Sequence, residues 1–318
     1  MRKVLLSVCG VVVAVIALGF LGVGCAAPSY VAGKRIAPEV AAGVSHAEDR
    51  FEGKEGVKLF SQSWRPADAP KAAVVLVHGL KDYSDRYNEF AATLVKHGYA
   101  VYAFDLRGHG DSEGDRVWVE RFPDYVDDLE IFMKRVHAAE PGKKVFLFGH
   151  SMGGAVVTLY TLMREPKPAG LITSAGALKI EEPAAVTGTL KFIAAVAPKL
   201  ALFELKDENF SRDPQIVAAL ATDPLVYDKK APVRTASELI SAVQTIREKS
   251  STLDVPVLAM HGTKDLVTPP SGSKELIDAA KSTDKTLKSY EGLAHDLLHE
   301  PEKQQVMDDV AAWLDAHP

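Results

Sequence analysis

A serine between glycines, Ser151, has the sequence context of a catalytic nucleophile. It lies in a G-x-S-x-G pattern, from Gly149 to Gly153, directly after the apolar segment 144–148 and before a helical pattern at 152–164. At such a strand-to-helix turn the serine hydroxyl projects above the end of the sheet, and the glycines leave room for the neighbouring backbone. We therefore predict that Ser151 is a nucleophile at the end of a buried strand.

A serine hydroxyl becomes strongly nucleophilic when a histidine takes its proton and a carboxylate orients that histidine. Two residues follow Ser151 in a suitable order: Asp265 comes after the apolar segment 255–260, and His295 comes after the segment 286–290. Both lie just past the carboxyl end of a predicted strand, the edge where sites form in open α/β sheets. We predict a catalytic triad of Ser151, Asp265 and His295.

Three alternative residues are less favoured by their positions. Asp254 precedes its strand and so lies at the opposite end of the sheet, and Asp105 precedes Ser151 in a loop that we expect to be structural. His299 lies four residues after His295, a spacing that metal ligands can have, but no third ligand with fitting spacing stands out. We predict that the site uses no metal and no cofactor.

A carbonyl oxygen that gains negative charge during attack needs hydrogen-bond donors. The backbone N–H of Met152 follows the nucleophile directly, and that of Leu80 follows His78-Gly79 at the end of the first buried strand. We predict that Leu80 and Met152 form the oxyanion hole. His78 is expected to shape the loop.

The elements that position these residues alternate between strand and helix. Continuous apolar runs predict buried strands, and apolar residues at helical spacing predict helices between them. A hairpin turning at 53–56 should come first. The predicted strands are 72–78, 99–105, 144–148, 170–174, 255–260 and 286–290, and the predicted helices are 87–97, 123–139, 152–164 and 302–314. This order predicts an α/β fold with a mostly parallel sheet covered by helices on both faces.

A long insert from about residue 176 to 247 interrupts the alternation and has a helical composition. Its apolar positions include Val186, Leu190, Ile193, Val196, Leu200 and Phe203. These residues either pack as ordinary helix core or line an acyl pocket from a cap above the site, and the two functions are compatible.

The first 25 residues have the composition of an export signal. Arg2 and Lys3 precede an almost uncharged stretch that ends at Cys25, and a basic start followed by an apolar run is typical of secretory signals. The segment before Cys25 resembles a bacterial lipoprotein signal, which implies a lipid on Cys25 and an exported protein of the cell envelope, anchored at a membrane surface. An uncleaved spanning helix and a signal cut near Ala27 remain alternatives.

The rest of the chain divides into a predicted tether, residues 26–49, and a catalytic domain, residues 50–318. The tether is rich in Ala, Gly, Pro and Val, without sustained periodicity. The domain contains no cysteine, so it has no disulfide and no thiolate metal site. The net charge is −5 and no dense basic block is present, which argues against nucleic-acid binding.

At these motifs the chain resembles the monoacylglycerol lipase and lysophospholipase group of the α/β-hydrolases, over about residues 51–314. The matching segments are His78-Gly79-Leu80 with Ser84 and Arg86-Tyr87, 105–114, 149–154, 211–214 with 223–226, 261–265 with 267–269, and Gly292 with His295. The resemblance implies an α/β-hydrolase fold, a helical cap over the acyl chain and hydrolysis of monoacylglycerols or related lipid esters. It also supports Leu80 and Met152 as oxyanion-hole donors.

The favoured function is therefore hydrolysis of lipid carboxylic esters through an acyl-enzyme, with monoacylglycerols or lysophospholipids as substrates. Aminopeptidase-like or short-chain carboxylesterase activity on the same triad remains an alternative, because one fold supports several chemistries. A non-catalytic binding protein is disfavoured because all three triad residues are present. The loop 80–83 is larger and more charged than in many members of the group, so access to the site is expected to differ.

Overall fold

The computed structural model describes residues 41–227 and 229–318, which contain ten strands and eight α-helices. The predicted signal with Cys25, and the tether up to residue 40, lie outside these residues. The strands are β1 (Ser45–Glu52), β2 (Lys58–Arg65), β3 (Ala73–Val77), β4 (Ala100–Phe104), β5 (Val145–His150), β6 (Gly170–Ser174), β7 (Ala201–Phe203), β8 (Ala231–Pro232), β9 (Val257–Gly262) and β10 (Lys285–Tyr290). The helices are α1 (Asn88–Lys96), α2 (Pro123–Ala139), α3 (Met152–Met163), α4 (Ala184–Val196), α5 (Pro214–Thr222), α6 (Val233–Lys249), α7 (Pro270–Ala279) and α8 (Lys303–Asp315).

Eight strands form one sheet in the order β1-β2-β4-β3-β5-β6-β9-β10. The first two pairings are antiparallel and all others are parallel. The predicted hairpin, the mostly parallel sheet and the α/β class are thus confirmed. Since the parallel strands point the same way, the loops after β3, β5, β9 and β10 meet at one edge.

The central strands are continuous apolar runs because both faces of the sheet are covered. In β3, Val75 and Val77 pack into one core while Val74 and Leu76 pack into the other. All five residues of β3 are buried. Helices on both sides supply the rest of each core, so the sheet is a rigid support for the loops at its edge.

The predicted tether is too long at its carboxyl end. Residues 45–49 belong to β1, which pairs with β2 from Ser45 to Glu52. Phe51 is the one buried residue in this strand. The strand is held mainly by backbone pairing at the sheet edge, so it lacks the apolar alternation that would have indicated it.

The insert between β6 and β9 contains α4, α5, α6 and a short antiparallel ribbon of β7 and β8, which the sequence pattern did not indicate. Helix α6 packs against α3 of the body. Ile193, Ala194 and Val233 form a small separate core, whereas Phe192 and Val196 are 63% and 62% exposed. Part of the apolar composition therefore serves packing and part faces outward.

Across residues 41–227 and 229–318, none of the helices combines the length and apolar composition needed to cross a bilayer.

Candidate active site

Ser151 occupies the sharp turn between β5 and α3. Its φ of 52° and ψ of −119° are unusual for a residue with a side chain, and such conformations cost about 1–3 kcal/mol. Glycine is required at the two flanking positions, 149 and 153, because neighbouring backbone carbonyl groups lie very close to them. A Cβ on Gly149 would overlap the carbonyl oxygen of Gly153, and a Cβ on Gly153 would overlap that of Val77. The surrounding chain therefore forces Ser151 into the strained turn.

Asp265 and His295 meet although they come from loops after different strands, β9 and β10. Nδ1 of His295 lies 2.8 Å from Oδ2 of Asp265, and neither side chain is exposed to solvent. A carboxylate only accepts hydrogen bonds, so Nδ1 carries the proton and Nε2 of the neutral ring is left as an acceptor.

Asp265 is held as a carboxylate by several donors. The backbone N–H groups of Val267 and Thr268 donate to Oδ1 at 2.7 and 2.9 Å. His261 Nε2 and the Thr268 hydroxyl lie 3.0 and 2.9 Å from Oδ2. Burial by itself would raise the pKa of Asp265, but electrostatic attraction to the neighbouring His295 N–H and these hydrogen bonds together outweigh burial and hold that pKa well below its usual value.

Nε2 of His295 has no hydrogen-bond partner among the described residues, although it is buried. The ring lies 4.8 Å, centroid to centroid, from that of His150, the residue before Ser151. Phe210 of the insert packs edge-on against the His295 ring at 5.5 Å, centroid to centroid. A buried nitrogen with a free lone pair beside the serine turn is suited to accept a proton from Ser151.

The loop after β3 lies against the serine turn. A Cβ on Gly79 would come within 3.0 Å of the Ser151 Cβ. His78 has the structural function expected of it: Nδ1 lies 2.7 Å from the Gly79 carbonyl oxygen and Nε2 accepts from the Leu106 N–H at 2.9 Å. Leu80, which follows Gly79, is buried. That its N–H donates a hydrogen bond to the oxyanion stays a prediction.

Met152 is buried at the first position of α3. The first N–H groups of a helix have no partner within the helix. This N–H is therefore available beside Ser151, and its function as the second oxyanion donor also stays a prediction.

The three alternative residues considered from the sequence, Asp254, Asp105 and His299, have other partners. Asp254 pairs with Lys167 at 2.6 Å, and Asp105 accepts the N–H groups of Ser84 and Asp111 at 2.8 Å. The ring nitrogens of His299 lie 2.8 Å from Asp296 Oδ1 and from the Arg86 carbonyl oxygen. In the described part of the chain, no group of three or more His, Cys, Asp or Glu residues could hold a metal ion.

Two supporting residues, His261 and Thr268, were not given a function from the sequence. Both lie within the motif 261–269, so their neighbourhood to Asp265 was visible, but their contacts depend on how the loop folds. His261 is fixed in turn by Ser273, whose hydroxyl lies 2.8 Å from Nδ1.

The insert contacts the site from above. Lys81 Nζ donates to Asp207 Oδ1 at 3.1 Å, and the Tyr83 hydroxyl donates to Asp223 Oδ2 at 2.6 Å. A groove of about 570 Å³ opens between the insert and the Asp265 loop. Among its lining residues are Lys179, Glu181, Phe203, Leu266, Thr268 and Ser271. The insert therefore packs over the loop after β3, and the groove separates its first residues and Phe203 from the loop that carries Asp265.

A mostly parallel sheet, a serine at a strand-to-helix turn and a buried Asp–His pair at the same edge define a serine hydrolase of the α/β-hydrolase fold. The chain belongs to the serine aminopeptidase S33 family, whose model matches residues 68–302.

The chain is similar over most of its length to known lipases. It is 33% identical to a monoacylglycerol lipase of Mycolicibacterium smegmatis over 86% of this chain and 98% of the relative. It is 35% identical to the human monoglyceride lipase over 82% of this chain and 88% of that protein. The crystal structure of Paleococcus ferrophilus monoacylglycerol lipase, 29% identical, superposes with a TM-score of 0.72 over 86% of this chain and 99% of that one. The resemblance noted from the motifs is confirmed.

Proposed function

We propose that this protein is a serine ester hydrolase that cleaves monoacylglycerols. The observation that carries the proposal is the 2.8 Å contact between His295 Nδ1 and Asp265 with His295 Nε2 left unpaired. The names of the similar proteins support the substrate class. A cap with apolar positions above the site is consistent with an acyl chain as the bound group.

The reaction runs through an acyl-enzyme. Ser151 Oγ attacks the ester carbonyl carbon while His295 Nε2 accepts its proton, and Asp265 stabilises the imidazolium. The N–H groups of Leu80 and Met152 donate to the oxyanion, each worth about 10²–10³ in rate. His295 then protonates the departing glycerol oxygen, and water deacylates the enzyme by the same steps to release a fatty acid.

Peptide cleavage is the second candidate, since the matching family model describes an aminopeptidase. The same triad serves both reactions, and short-chain esters would also react at it. The test is a panel of monoacylglycerols and lysophospholipids of rising chain length, short p-nitrophenyl esters and aminoacyl amides. We expect the highest kcat/KM on a monoacylglycerol, whereas a preference for aminoacyl amides would refute the proposal.

Variants show whether the measured activity belongs to this site. Ser151→Ala should abolish hydrolysis of every substrate in the panel. Ser289→Ala is the matched control, because this serine is exposed on β10, an edge strand of the sheet. Hydrolysis that survives in Ser151→Ala would assign the activity to another nucleophile.

For the N-terminal segment we propose export and lipid attachment at Cys25, which would hold the domain at a membrane surface of the cell envelope. The support is the sequence pattern of residues 1–25. Mass spectrometry of the mature protein from its host tests this. We expect a lipid-modified Cys25 at the N-terminus and a Cys25→Ser variant that loses the modification, and an unmodified Cys25 would refute the proposal.

A further inference from the structure

One buried arginine joins the two loops that flank the proposed site. Arg86 lies in a single-turn 3-10 helix, Ser84–Tyr87, after β3. Its Nη1 donates to Asp82 Oδ1 and its Nη2 to Asp296 Oδ2, both at 2.7 Å. The side chains of Arg86, Asp82 and Asp296 are 11%, 3% and 1% exposed. We call these three residues the Arg86 bridge.

On one side the bridge sets the loop that carries Leu80. Asp82 Oδ2 accepts the Tyr87 hydroxyl at 2.6 Å and lies 3.4 Å from the Gly79 nitrogen, and Oδ1 accepts the Tyr83 N–H at 2.9 Å. Asp82 thus folds the loop back on itself between the end of β3 and the 3-10 helix. Without Arg86 this carboxylate would keep its neutral donors but lose its cation, so the loop with the proposed oxyanion donor would be held less firmly.

On the other side the bridge sets the loop that carries His295. Asp296 is the next residue along the chain, and its N–H donates to the Phe210 carbonyl oxygen at 2.7 Å. His299 Nδ1 lies 2.8 Å from its second oxygen, and His299 Nε2 lies 2.8 Å from the Arg86 carbonyl oxygen. Arg86 and Asp296 are therefore joined twice, once directly and once through His299.

The bridge also places charged groups close to the site. Burial would raise the pKa of Asp82, but the Arg86 guanidinium together with His78 and His150 outweighs burial and lowers that pKa to about 2. Burial opposes ionisation of Asp296 too, yet the charges of His299 and Arg86 hold its pKa well below the usual value. Arg86 is thus the shared cation of Asp82 and Asp296, and Asp296 has a second partner in His299, whereas the Asp82 carboxylate has no contact with that histidine.

We propose that Arg86 is a positioning residue for the hydrolysis: it fixes the oxyanion loop through Asp82 and the histidine loop through Asp296, and it balances their charge beside His295. This inference rests on the proposed function of His295 as the base. Removing Arg86 adds net negative charge near the imidazole and favours its protonated form, which cannot accept the Ser151 proton. Neutralising Asp82, which has no contact with His299, does the opposite.

Several other side chains surround His295, and none of them is changed by substitution of Arg86 or Asp82. Asp265 faces Nδ1, with His261 behind it, and His150 lies against the ring from β5. The insert contributes the apolar Phe210. Farther along the histidine loop are His299, paired with Asp296, and Glu300, paired with Arg212.

The test is the acid limb of kcat/KM against pH. We expect Arg86→Met to move this limb to higher pH and Asp82→Asn to move it to lower pH, each by roughly half a pH unit. A purely structural function would not move the two limbs in opposite directions, because both variants break the same ion pair. Arg86→Lys keeps the positive charge but cannot reach both carboxylates. Its acid limb should therefore stay in place, while kcat falls and KM is unchanged.

Arg107→Met is the matched control. Arg107 is also 11% exposed and pairs with the buried Asp128 at 2.7 Å, away from the histidine loop. It should lower the melting temperature without moving the acid limb. If Arg86→Met does not fold, Asp82→Asn and Arg86→Lys carry the test: Asp82→Asn keeps side-chain shape and should move the limb to lower pH, whereas the limb of Arg86→Lys should stay in place.

Acid limbs that stay at the wild-type position in folded Arg86→Met and Asp82→Asn, or that move in the same direction, would overturn the inference. Failure of the proposed function is distinguishable from this. In that case His295→Ala or Ser151→Ala would retain hydrolysis, whatever the bridge variants do.

Discussion

Nδ1 of His295 lies 2.8 Å from Oδ2 of Asp265, and five donors surround that carboxylate in a site shielded from solvent. The contact fixes which nitrogen of His295 carries the proton. An Asp265→Asn variant keeps the shape but offers an N–H to the ring, so the wrong nitrogen faces Ser151. We expect kcat to fall by about 10⁴ with a small change in KM.

Steady-state kinetics on a monoacylglycerol, with circular dichroism to show folding, measures this effect. Asp254→Asn is the control, since Asp254 pairs with Lys167 at the opposite end of the sheet, and it should retain wild-type kcat. A folded Asp265→Asn enzyme with nearly normal kcat would show that another group orients His295.

The strain at Ser151 predicts a trade between activity and stability. Its φ of 52° and ψ of −119° suit glycine better than a residue with a Cβ. Ser151→Gly should therefore lose hydrolysis while its free energy of unfolding rises by about 1 kcal/mol. Urea denaturation of Ser151→Gly and wild type tests this, and a less stable glycine variant would show that the turn is not strained.

The buried His109 predicts a loss of stability in mild acid. Burial, together with nearby His78, lowers the pKa of His109 to about 3 from its ordinary 6.5. Below pH 6.5 the unfolded chain takes up a proton that the folded protein refuses, so the free energy of unfolding falls as pH falls from 6.5 toward 3. His109→Gln, which can still donate to the Arg107 carbonyl oxygen, should lose about 2 kcal/mol less than wild type between pH 7 and pH 5.

Urea denaturation of both proteins at pH 7 and pH 5 gives the comparison. His97→Gln serves as a control because His97 is about 40% exposed. Equal losses in wild type and His109→Gln would mean that His109 does not resist protonation in the folded protein.

The cap is predicted to matter most for long acyl chains. Tyr83→Phe removes the 2.6 Å hydrogen bond to Asp223 and loosens the cap over the site. A bond to a carboxylate contributes about 1.5–3 kcal/mol, so KM for a long-chain monoacylglycerol should rise several-fold while that for p-nitrophenyl acetate stays unchanged. Tyr99→Phe removes a similar bond to Asp315, far from the cap, and should change neither KM. Equal changes for both substrates in Tyr83→Phe would indicate that the cap does not bind the acyl chain.

The sheet and the loops with the proposed triad were predictable for a physical reason. Strands such as β3 are buried on both faces and stand out as apolar runs, and Ser151, Asp265 and His295 follow the ends of such runs. The hairpin turn was predicted, but residues 45–49 of β1 were assigned to the tether, because the exposed residues of this strand are mostly polar and backbone pairing holds it.

The Arg86 bridge was beyond sequence reasoning for a different cause. Arg86 and Asp296 are 210 residues apart, and nothing in residue type or spacing says that two surface-prone side chains will be buried together. Arg86 belongs to one of the segments that resemble the lipase group, but its proposed function follows only from its contacts in the structure. The same holds for His261 and Thr268 around Asp265.

The central claim is that Ser151 is the nucleophile and His295 its base, and labelling by a fluorophosphonate probe tests it most directly. Peptide mass spectrometry should find the adduct on Ser151 alone in the wild-type protein and almost none in folded His295→Ala under the same conditions. An adduct on a different serine, or equally fast labelling of Ser151 without His295, would contradict the account.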